Sequence, residues 1–303
     1  MPKRIPTHKI LSVMLLCLLV SNPLDAWGWS AEAHRAIALI AMNRLQGTHT
    51  ATRVQALLGK LTLDQIATCP DEVRELQAKE IKQLDTFCAQ VFPKPMTINT
   101  EPWHFVNTPV QNGVLTTDSA AVTAACAGNC AITQIAKFEK VLQAPTTARN
   151  KQAQLQALSF VVHFIGDIHQ PLHAAERDGD LGGNKEIVSF FGTDQNAGQP
   201  IKLHAIWDNQ IVFRIDPTDT ALATDLQPEI DQAAQEPPSQ PMDWAIQSFG
   251  YAAGVAYVGI APPGSADSAT LGQPYQDAAA PVVRIQIARA GVRLAAALES
   301  CLP

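Results

Sequence analysis

The stretch from His163 to His173, HFIGDIHQPLH, is the feature that most restricts the folds open to this chain. It follows QLQALSFVV, whose apolar residues at helical spacing predict a buried helix. A buried polar group without a partner costs roughly 2 to 7 kcal/mol, and an unpaired buried charge costs far more. The three histidines and the aspartate of this stretch must therefore bind something inside the fold.

The spacing of these side chains suits metal binding. His163 and Asp167 are four residues apart and share one face of the helix. A proline two residues before His173 ends the helix, so the chain can turn back toward Asp167. The same spacing recurs in LHAIWD, as His204 and Asp208. Imidazole and carboxylate are common zinc ligands, although any one pair could equally be a buried hydrogen-bonded pair.

Two other histidines, in the segments WSAEAH and WHFVN, also have apolar neighbours. This grouping favours a metal site over scattered surface histidines. His49 has the neighbours of an ordinary surface residue, and His169 faces away from the His163 side, as a supporting hydrogen-bond donor or helix cap would. The chain has no HExxH, GxSxG or Walker A sequence, which argues against a thermolysin-like protease, a serine hydrolase and a nucleotide-binding protein.

The first residues have the three-part pattern of a secretory signal peptide. A basic start, MPKRIPTHK, is followed by the apolar run ILSVMLLCLLV and by small residues in DAWG. The run is too short to span a bilayer. We therefore predict a signal peptide over residues 1–28, a single domain over 29–303, and release without a membrane anchor into a periplasm or the medium.

Export would place the remaining five cysteines in an oxidising compartment. Cys126 and Cys130 close a tight loop in CAGNC and are the first predicted pair, with Cys69 and Cys88 as the second, although spacing does not fix connectivity. Cys301 is then left over. Five free thiols are less consistent with this compartment, and a cysteine zinc site is disfavoured because no CxxC occurs.

Most of the chain has helical periodicity. Helices are predicted at AEAHRAIALIAMNRL, QLQALSFVVHFIGDIH, IAKFEKVL, WAIQSFGYAAGVAYV and APVVRIQIARAGVRLAAALES, and only NKEIVSFF resembles a strand. The chain has no internal repeat or long linker, and APPGSADSATLGQP is predicted to be a surface loop.

The motifs WSAEAH, PDEVR, WHFVN, HFIGDIHQPLH, GGN and LHAIWD occur in this order and together resemble the secreted trinuclear-zinc nucleases of the S1/P1 nuclease family. The resemblance implies a mainly α, single-domain phospholipase C/nuclease-type fold with a small β element. It also implies three Zn²⁺ ions and hydrolysis of single-stranded DNA and RNA to 5′-phosphorylated products, with 3′-mononucleotides as further substrates. We expect a monomer.

The resemblance also implies the zinc ligands. One zinc would be bound by Asp71, His104, His163 and Asp167, a second by His173, His204 and Asp208, and a third by His34, by Asp167 as a bridge, and by the α-amino group and carbonyl of a mature N-terminal Trp29. Trp27 competes for this last role. The family spacing of five residues to the histidine selects Trp29, and cleavage after Gly28 would leave small residues at the positions that a signal peptidase reads.

The resemblance to the family further implies three residues that would act in catalysis. Asp71 and Asp167 would hold the metal ions that activate water, and Arg74 would contact the developing charge on the phosphate. The alternative for Arg74 is a surface ion pair with Glu72 or Glu75.

Substrate binding would involve three further residues. Phe105 would stack on a base, although a plain core position would explain it nearly as well. Asn107 and Asn184 would bond the edge of the base. Many fungal members have aspartate at the position of Asn107, so the base preference of this chain can differ from theirs.

The formal net charge is −6, and removing residues 1–28, with three basic residues and one acidic residue, would make it −8. A broad Lys/Arg surface for nucleic acid is therefore excluded, and bound zinc would concentrate the attraction at one phosphate. The competing enzyme is a zinc-dependent phospholipase C, which usually has HxxxE where this chain has Asp208. A secreted zinc-binding protein without catalysis would not need Phe105 and Arg74 beside the metals.

Overall fold

The protein is described from a computed structural model, over residues 28–110, 118–196, 198–262, 264–265 and 268–303. Its α-helices are α1 (Ala31–Leu45), α2 (His49–Leu58), α3 (Leu63–Ile66), α4 (Cys69–Ala78), α5 (Cys88–Val91), α6 (Ser119–Cys126), α7 (Ala131–Gln143), α8 (Lys151–Asp167), α9 (Leu203–Ala205), α10 (Ile211–Ile215), α11 (Asp219–Asp225), α12 (Gln227–Ala233), α13 (Pro241–Tyr251) and α14 (Gln273–Cys301). Two 3₁₀ turns span Glu101–His104 and Pro171–His173, and two π-helical turns span Ile206–Gln210 and Ala252–Ala256.

The helix α8 lies at the centre of the fold. Every residue from Ala157 to Asp167 is buried, as expected for a helix that is apolar on all sides. It packs against α7 and α14, and α14 packs against α1. The α1/α14 crossing is close because Gly291 has no side chain; a Cβ atom there would lie 2.5 Å from Ile40 Cγ2. The predicted mainly α fold is confirmed.

The strands are short and form three separate pairs. They are β1 (Thr108–Pro109), β2 (Ala175–Glu176), β3 (Val188–Phe190), β4 (Gln195–Asn196), β5 (Gln199–Pro200) and β6 (Ala269–Leu271). β1 is parallel to β2, β3 is parallel to β6, and β4 is antiparallel to β5. The β1/β2 pair brings the segment after His104 beside the segment after His173. It therefore joins two of the motifs that carry predicted ligands.

The predicted helices and both predicted disulfides, Cys69–Cys88 and Cys126–Cys130, are present. Cys301 is a free, buried thiol. The predicted strand is confirmed at Val188–Phe190, and the predicted loop at 261–274 contains β6. The proposed signal peptide, including Trp27, lies outside the described residues except for Gly28. Among the helices that are described, none is both long and apolar enough to cross a bilayer.

Candidate active site

Four of the predicted ligands meet at the end of α8, in a group that we call the bridging cluster: Asp71, His104, His163 and Asp167. Asp71 lies in the first turn of α4, His104 ends a 3₁₀ turn, and the other two belong to α8. All four side chains are buried or nearly so. Asp71, His104 and His163 are far apart in the sequence, and their side chains come together only in the folded protein.

The distances within the bridging cluster suit one metal ion. Nδ1 of His104 lies 3.0 Å from Asp167 Oδ2 and 3.0 Å from His163 Nε2, which is 3.1 Å from the same carboxylate oxygen. Asp71 Oδ1 lies 3.6 and 3.5 Å from the two ring nitrogens. Zinc bonds of about 2.0 to 2.1 Å in a tetrahedron place neighbouring ligand atoms about 3.3 Å apart. The observed separations bracket this value.

A second group, the loop cluster, consists of His173, His204 and Asp208. His204 Nε2 lies 3.2 Å from His173 Nε2 and 3.3 Å from Asp208 Oδ2, while His173 Nε2 is 3.9 Å from Asp208 Oδ1. Asp208 belongs to the π-helical turn within the continuous helical stretch 203–215. Such turns occur often at functional sites. The loop cluster has the donor set and spacing of a second metal site.

His34 approaches the bridging cluster from α1. Its Nε2 atom lies 3.4 Å from Asp167 Oδ1, the carboxylate oxygen that the other two histidines do not contact, and its ring stacks on His163. Gly166 makes room for this ring, because a Cβ atom there would lie 2.8 Å from His34 Nδ1. Asp167 thus presents Oδ2 to His104 and His163 and Oδ1 to His34, as expected of a carboxylate that bridges two metal ions.

Buried polar atoms without hydrogen-bond partners support metal binding at these groups. Those that face the clusters are Nε2 of His34, Oδ1 of Asp71, Oδ1 of Asp167 and Oδ2 of Asp208. Native proteins leave few such atoms unsatisfied. Their imidazole and carboxylate chemistry fits zinc well.

Three candidate ligands are oriented by backbone carbonyls. The Nδ1 atoms of His163, His173 and His204 lie 2.8, 2.9 and 2.6 Å from the carbonyl oxygens of Ala67, His104 and Gly182. Each Nδ1 can donate to its carbonyl, which leaves a lone pair on Nε2 pointing into its cluster. At Gly182 a Cβ atom would collide with the carbonyl oxygen of Leu172, so this loop requires glycine.

Charges couple the side chains of the bridging cluster. Burial alone would raise the pKa of the Asp167 carboxyl, but the adjacent His163 and His173 imidazoles hold it well below its ordinary value. Burial opposes charge on His163 as well, yet Asp167 and Asp71 raise its pKa to about 10. Burial lowers the pKa of His104 to about 4. Protons and a metal ion would compete for these side chains, so metal affinity should fall as pH falls.

The N-terminal segment reaches both groups. Trp29 is buried, and the N–H of Ser30 donates to the carbonyl of Asp208 at 2.8 Å. Ser30 also caps α1, because its Oγ accepts from Ala33 N at 3.3 Å. Gly28 lies among the predicted ligands, since a Cβ atom on it would be 3.1 Å from Asp167 Oδ1 and 3.5 Å from His34 Nε2. The backbone around residue 29 is therefore beside the candidate ligands of the third zinc.

Arg74 is not on the surface. It is only 6% exposed, and its Nη2 atom lies 3.3 Å from Asp71 Oδ1 and 3.9 Å from Glu75 Oε1. The alternative of an ion pair with Glu75 is therefore present, although the arginine is buried and not on the surface. A guanidinium beside a candidate metal ligand is placed to meet an anionic group bound there.

The predicted base-contacting residues lie near the same clusters. Phe105 follows His104 directly and is half-buried rather than fully enclosed, as is Asn107. Asn184 is 9% exposed, and its Nδ2 donates to Leu181 O at 3.0 Å. One donor of this amide is therefore used within its own loop. The roles of the three residues in binding a base stay predictions.

Sequence reasoning missed Gln170, which connects the candidate ligands. Its side-chain Nε2 donates to Asp208 Oδ1 at 2.6 Å, and its Oε1 accepts from the backbone of Leu172. Its own N–H donates to Asp167 O at 2.9 Å, and its carbonyl accepts from His173 N at 3.1 Å. A single glutamine thus links ligands from both clusters. Its place within HFIGDIHQPLH was a signal of burial, but a glutamine is not a usual zinc ligand and the sequence does not show what its side chain bonds.

Replacing Gln170 with leucine is expected to weaken metal binding at the loop cluster by roughly 10- to 100-fold, the usual cost of losing a hydrogen bond to a ligand. The measurement is competition for zinc with a chelator. Gln154→Leu is the matched control, because Gln154 is a buried glutamine on α8 that bonds the carbonyls of Val141 and Ala144 away from both clusters. Equal zinc affinity in Gln170→Leu and wild type would contradict the assigned role.

His169 is the one histidine of the opening stretch that points away from the clusters. Its Nδ1 lies 2.7 Å from Ile165 O, at the end of α8, and Arg293 of α14 donates to its Nε2 at 2.8 Å. This geometry is that of a helix-capping residue, as predicted. Burial and the positive charge of Arg293 lower its pKa well below the ordinary value, so it is a neutral hydrogen-bonding residue.

Comparison with known proteins gives one consistent family. The sequence profile described as S1/P1 Nuclease matches residues 29–303. Endonuclease 2 of Arabidopsis thaliana is 26% identical over 310 residues, covering 96% of this chain and 96% of the relative. Nuclease S1 of Aspergillus oryzae is 27% identical over 304 residues, covering 90% and 91%. Nuclease P1 of Penicillium citrinum is 28% identical over 184 residues, covering 59% and 57%.

Proposed function

This chain belongs to the S1/P1 nuclease family, and from that premise we propose that it is a zinc-dependent phosphodiesterase that hydrolyses single-stranded DNA and RNA to 5′-phosphorylated products and also removes phosphate from 3′-mononucleotides. The observation that carries the proposal is the pair of adjacent His/Asp clusters, with a buried arginine at the edge of one of them. The names of its relatives, nucleases and endonucleases, support the same reaction class.

Three zinc ions would occupy the site. The bridging cluster would hold the first and the loop cluster the second, while His34, Asp167 and the amine and carbonyl of an N-terminal Trp29 would hold the third. When bound, zinc supplies an activated water and neutralises charge on the phosphate and on the leaving oxygen. No side chain of the protein would then be needed as a general base for the attacking water.

The remaining residues orient the substrate. Arg74 would donate to a non-bridging oxygen of the scissile phosphate and stabilise the charge that develops there. Phe105 would stack on the base of the nucleoside whose 3′ oxygen leaves, and Asn107 and Asn184 would bond its edge. Stacking requires an unpaired base, which accounts for preference for single strands.

The protein would act as a secreted or periplasmic monomer without a membrane anchor. Two disulfides fit an oxidising compartment. Cleavage after Gly28 would separate the signal peptide from the nuclease domain over residues 29–303 and create the amine of Trp29.

Metal content and substrate range test the proposal together. We expect three zinc ions per mature chain by elemental analysis, loss of activity on chelation, and recovery on adding Zn²⁺. The enzyme should cleave single-stranded DNA and RNA and leave phosphatidylcholine unchanged in parallel assays. Two or fewer zinc ions in the fully active enzyme would contradict the trinuclear site, and faster release of phosphocholine would favour the phospholipase alternative.

A further inference from the structure

A cleft of about 550 Å³ opens beside Arg74. One wall is formed by Gln77 and Ala78 at the end of α4 and by Glu80 just after it. The other wall is formed by the segment that leads to His104, with Thr97 and Asn99. We call it the α4 cleft. Arg74 lines the cleft and connects it to the bridging cluster, because its Nη2 atom lies 3.3 Å from Asp71 Oδ1. Phe105, Asn107 and Asn184 do not line it.

The wall opposite α4 is held in place by one side chain. Gln77 Nε2 donates to the carbonyls of Met96 at 3.2 Å and Ile98 at 2.8 Å, and its Oε1 accepts from Thr100 N at 3.1 Å and Thr100 Oγ1 at 2.9 Å. All four contacts fix the path of residues 96–100. A wall fixed in this way is pre-organised for binding, so a ligand need not order it.

The polar groups of the α4 cleft suit a sugar and a base. Thr97 and Asn99 are exposed, and the Oδ1 atom of Asn99 accepts from Glu101 N at 3.0 Å, which leaves its amide nitrogen as a donor. Glu80 and Glu101 also line the cleft and are exposed. Their charges repel further phosphates, whereas carboxylates can accept hydrogen bonds from sugar hydroxyls and base amino groups. The cleft therefore suits one nucleotide rather than a long strand.

The proposed reaction determines which nucleotide this is. Water attacks phosphorus, the P–O3′ bond breaks, the leaving O3′ takes up a proton, and the phosphate stays on the 5′ oxygen of the next nucleotide. A 3′-mononucleotide has only the nucleoside on the O3′ side, so the base contact at Phe105 must serve that side. With the scissile phosphate at Arg74, the nucleotide that keeps the phosphate needs a separate place.

We propose that the α4 cleft binds the nucleotide that keeps the 5′-phosphate after cleavage. This inference rests on the proposed nuclease function. It makes the cleft a determinant of substrate length, because a 3′-mononucleotide leaves it empty and a dinucleoside monophosphate fills it.

The test compares kcat/KM for a 3′-mononucleotide and for a dinucleoside monophosphate of the same base. Ala78→Phe fills the cleft from the exposed end of α4, and Asn99→Ala removes a donor without adding bulk. Ala78→Phe should lower kcat/KM for the dinucleoside monophosphate by roughly tenfold, the order expected when one nucleotide loses its contacts, and Asn99→Ala by about threefold. Hydrolysis of the 3′-mononucleotide should stay within about twofold of wild type.

Ile98→Ala is the matched control, because Ile98 lies between Thr97 and Asn99, is 58% exposed and does not line the cleft. It should change kcat/KM for neither substrate, and the thermal unfolding temperature of every variant should match that of the wild type. An equal loss on both substrates, or no loss on either, in folded Ala78→Phe and Asn99→Ala proteins would overturn the inference. A wild-type protein that cleaves neither substrate would instead overturn the proposed function, and the inference with it.

Discussion

Replacing Asp167 with asparagine is expected to lower the turnover of single-stranded DNA by roughly 10³-fold or more, because a catalytic metal contributes several kcal/mol and each 1.4 kcal/mol or so is a factor of ten. Asp167 Oδ2 lies 3.0 Å from His104 Nδ1 and 3.1 Å from His163 Nε2, while its Oδ1 lies 3.4 Å from His34 Nε2. The neutral amide offers only one oxygen and no charge. The measurement is kcat together with zinc content by elemental analysis.

Two comparisons make this result specific. Asp71→Asn removes a ligand that serves only one predicted zinc, so it should release less zinc than Asp167→Asn does. Asp231→Asn, on the exposed face of α12, should leave both kcat and zinc content unchanged. Near-normal activity in Asp167→Asn, with all zinc retained, would show that this carboxylate does not bridge two metals.

The fold was predictable where helical periodicity is strong. Residues 31–45 are predicted as a helix with the same bounds as α1, and the helix predicted over 154–169 corresponds to α8, which begins three residues earlier and ends two residues earlier. The small strands were not predictable, apart from Val188–Phe190, because segments of two or three residues carry no periodicity. The parallel β1/β2 pair joins segments more than sixty residues apart, which local pattern cannot reveal.

The candidate site also has a part that local spacing predicts and a part that only tertiary packing determines. The four-residue spacing of His163 and Asp167 follows from helix geometry alone. The approach of His104 and Asp71 depends on tertiary packing, so it was reached only through resemblance to a family. Gln77 carries no signal, because a lone glutamine is usually a surface residue, and Gln170 is marked only by its place within HFIGDIHQPLH; the fold alone shows what either side chain binds.

The π-helical turn at Asp208 shows how a correct spacing can hide a departure from regular geometry. His204 and Asp208 are four residues apart, and their side chains meet at 3.3 Å as a helix predicts. The widened turn between residues 206 and 210 nevertheless alters the backbone that carries Asp208, whose carbonyl accepts from Ser30 N. The second predicted zinc site is thereby connected to the segment that precedes α1.

Keeping one residue before Trp29 is expected to lower activity on single-stranded DNA by roughly 10²-fold and to weaken binding of the third zinc, if its amine is the ligand that we propose. An α-amino group has an ordinary pKa of about 7.7 to 8.0 and binds metal only without its proton, whereas an amide nitrogen is a poor ligand. The measurement is zinc content and kcat for chains that begin at Gly28 and at Trp29, the latter released by a protease that leaves no extra residue.

The effect should come from the site and not from the fold. Gly28 lies within the space that the third zinc and the amine would need, since its Cβ position is 3.1 Å from Asp167 Oδ1 and 3.4 Å from Asp71 Oδ2. Ser30 would still cap α1 in either form, so thermal unfolding without metal should be the same. N-terminal acetylation of the chain that begins at Trp29 is the control, because it blocks the amine with almost no added bulk and should reproduce the loss. Three tightly bound zinc ions and equal activity in the acetylated and Gly28 forms would rule out the amine as a ligand, and an exported, active chain that begins at Trp27 would rule out Trp29 as its source.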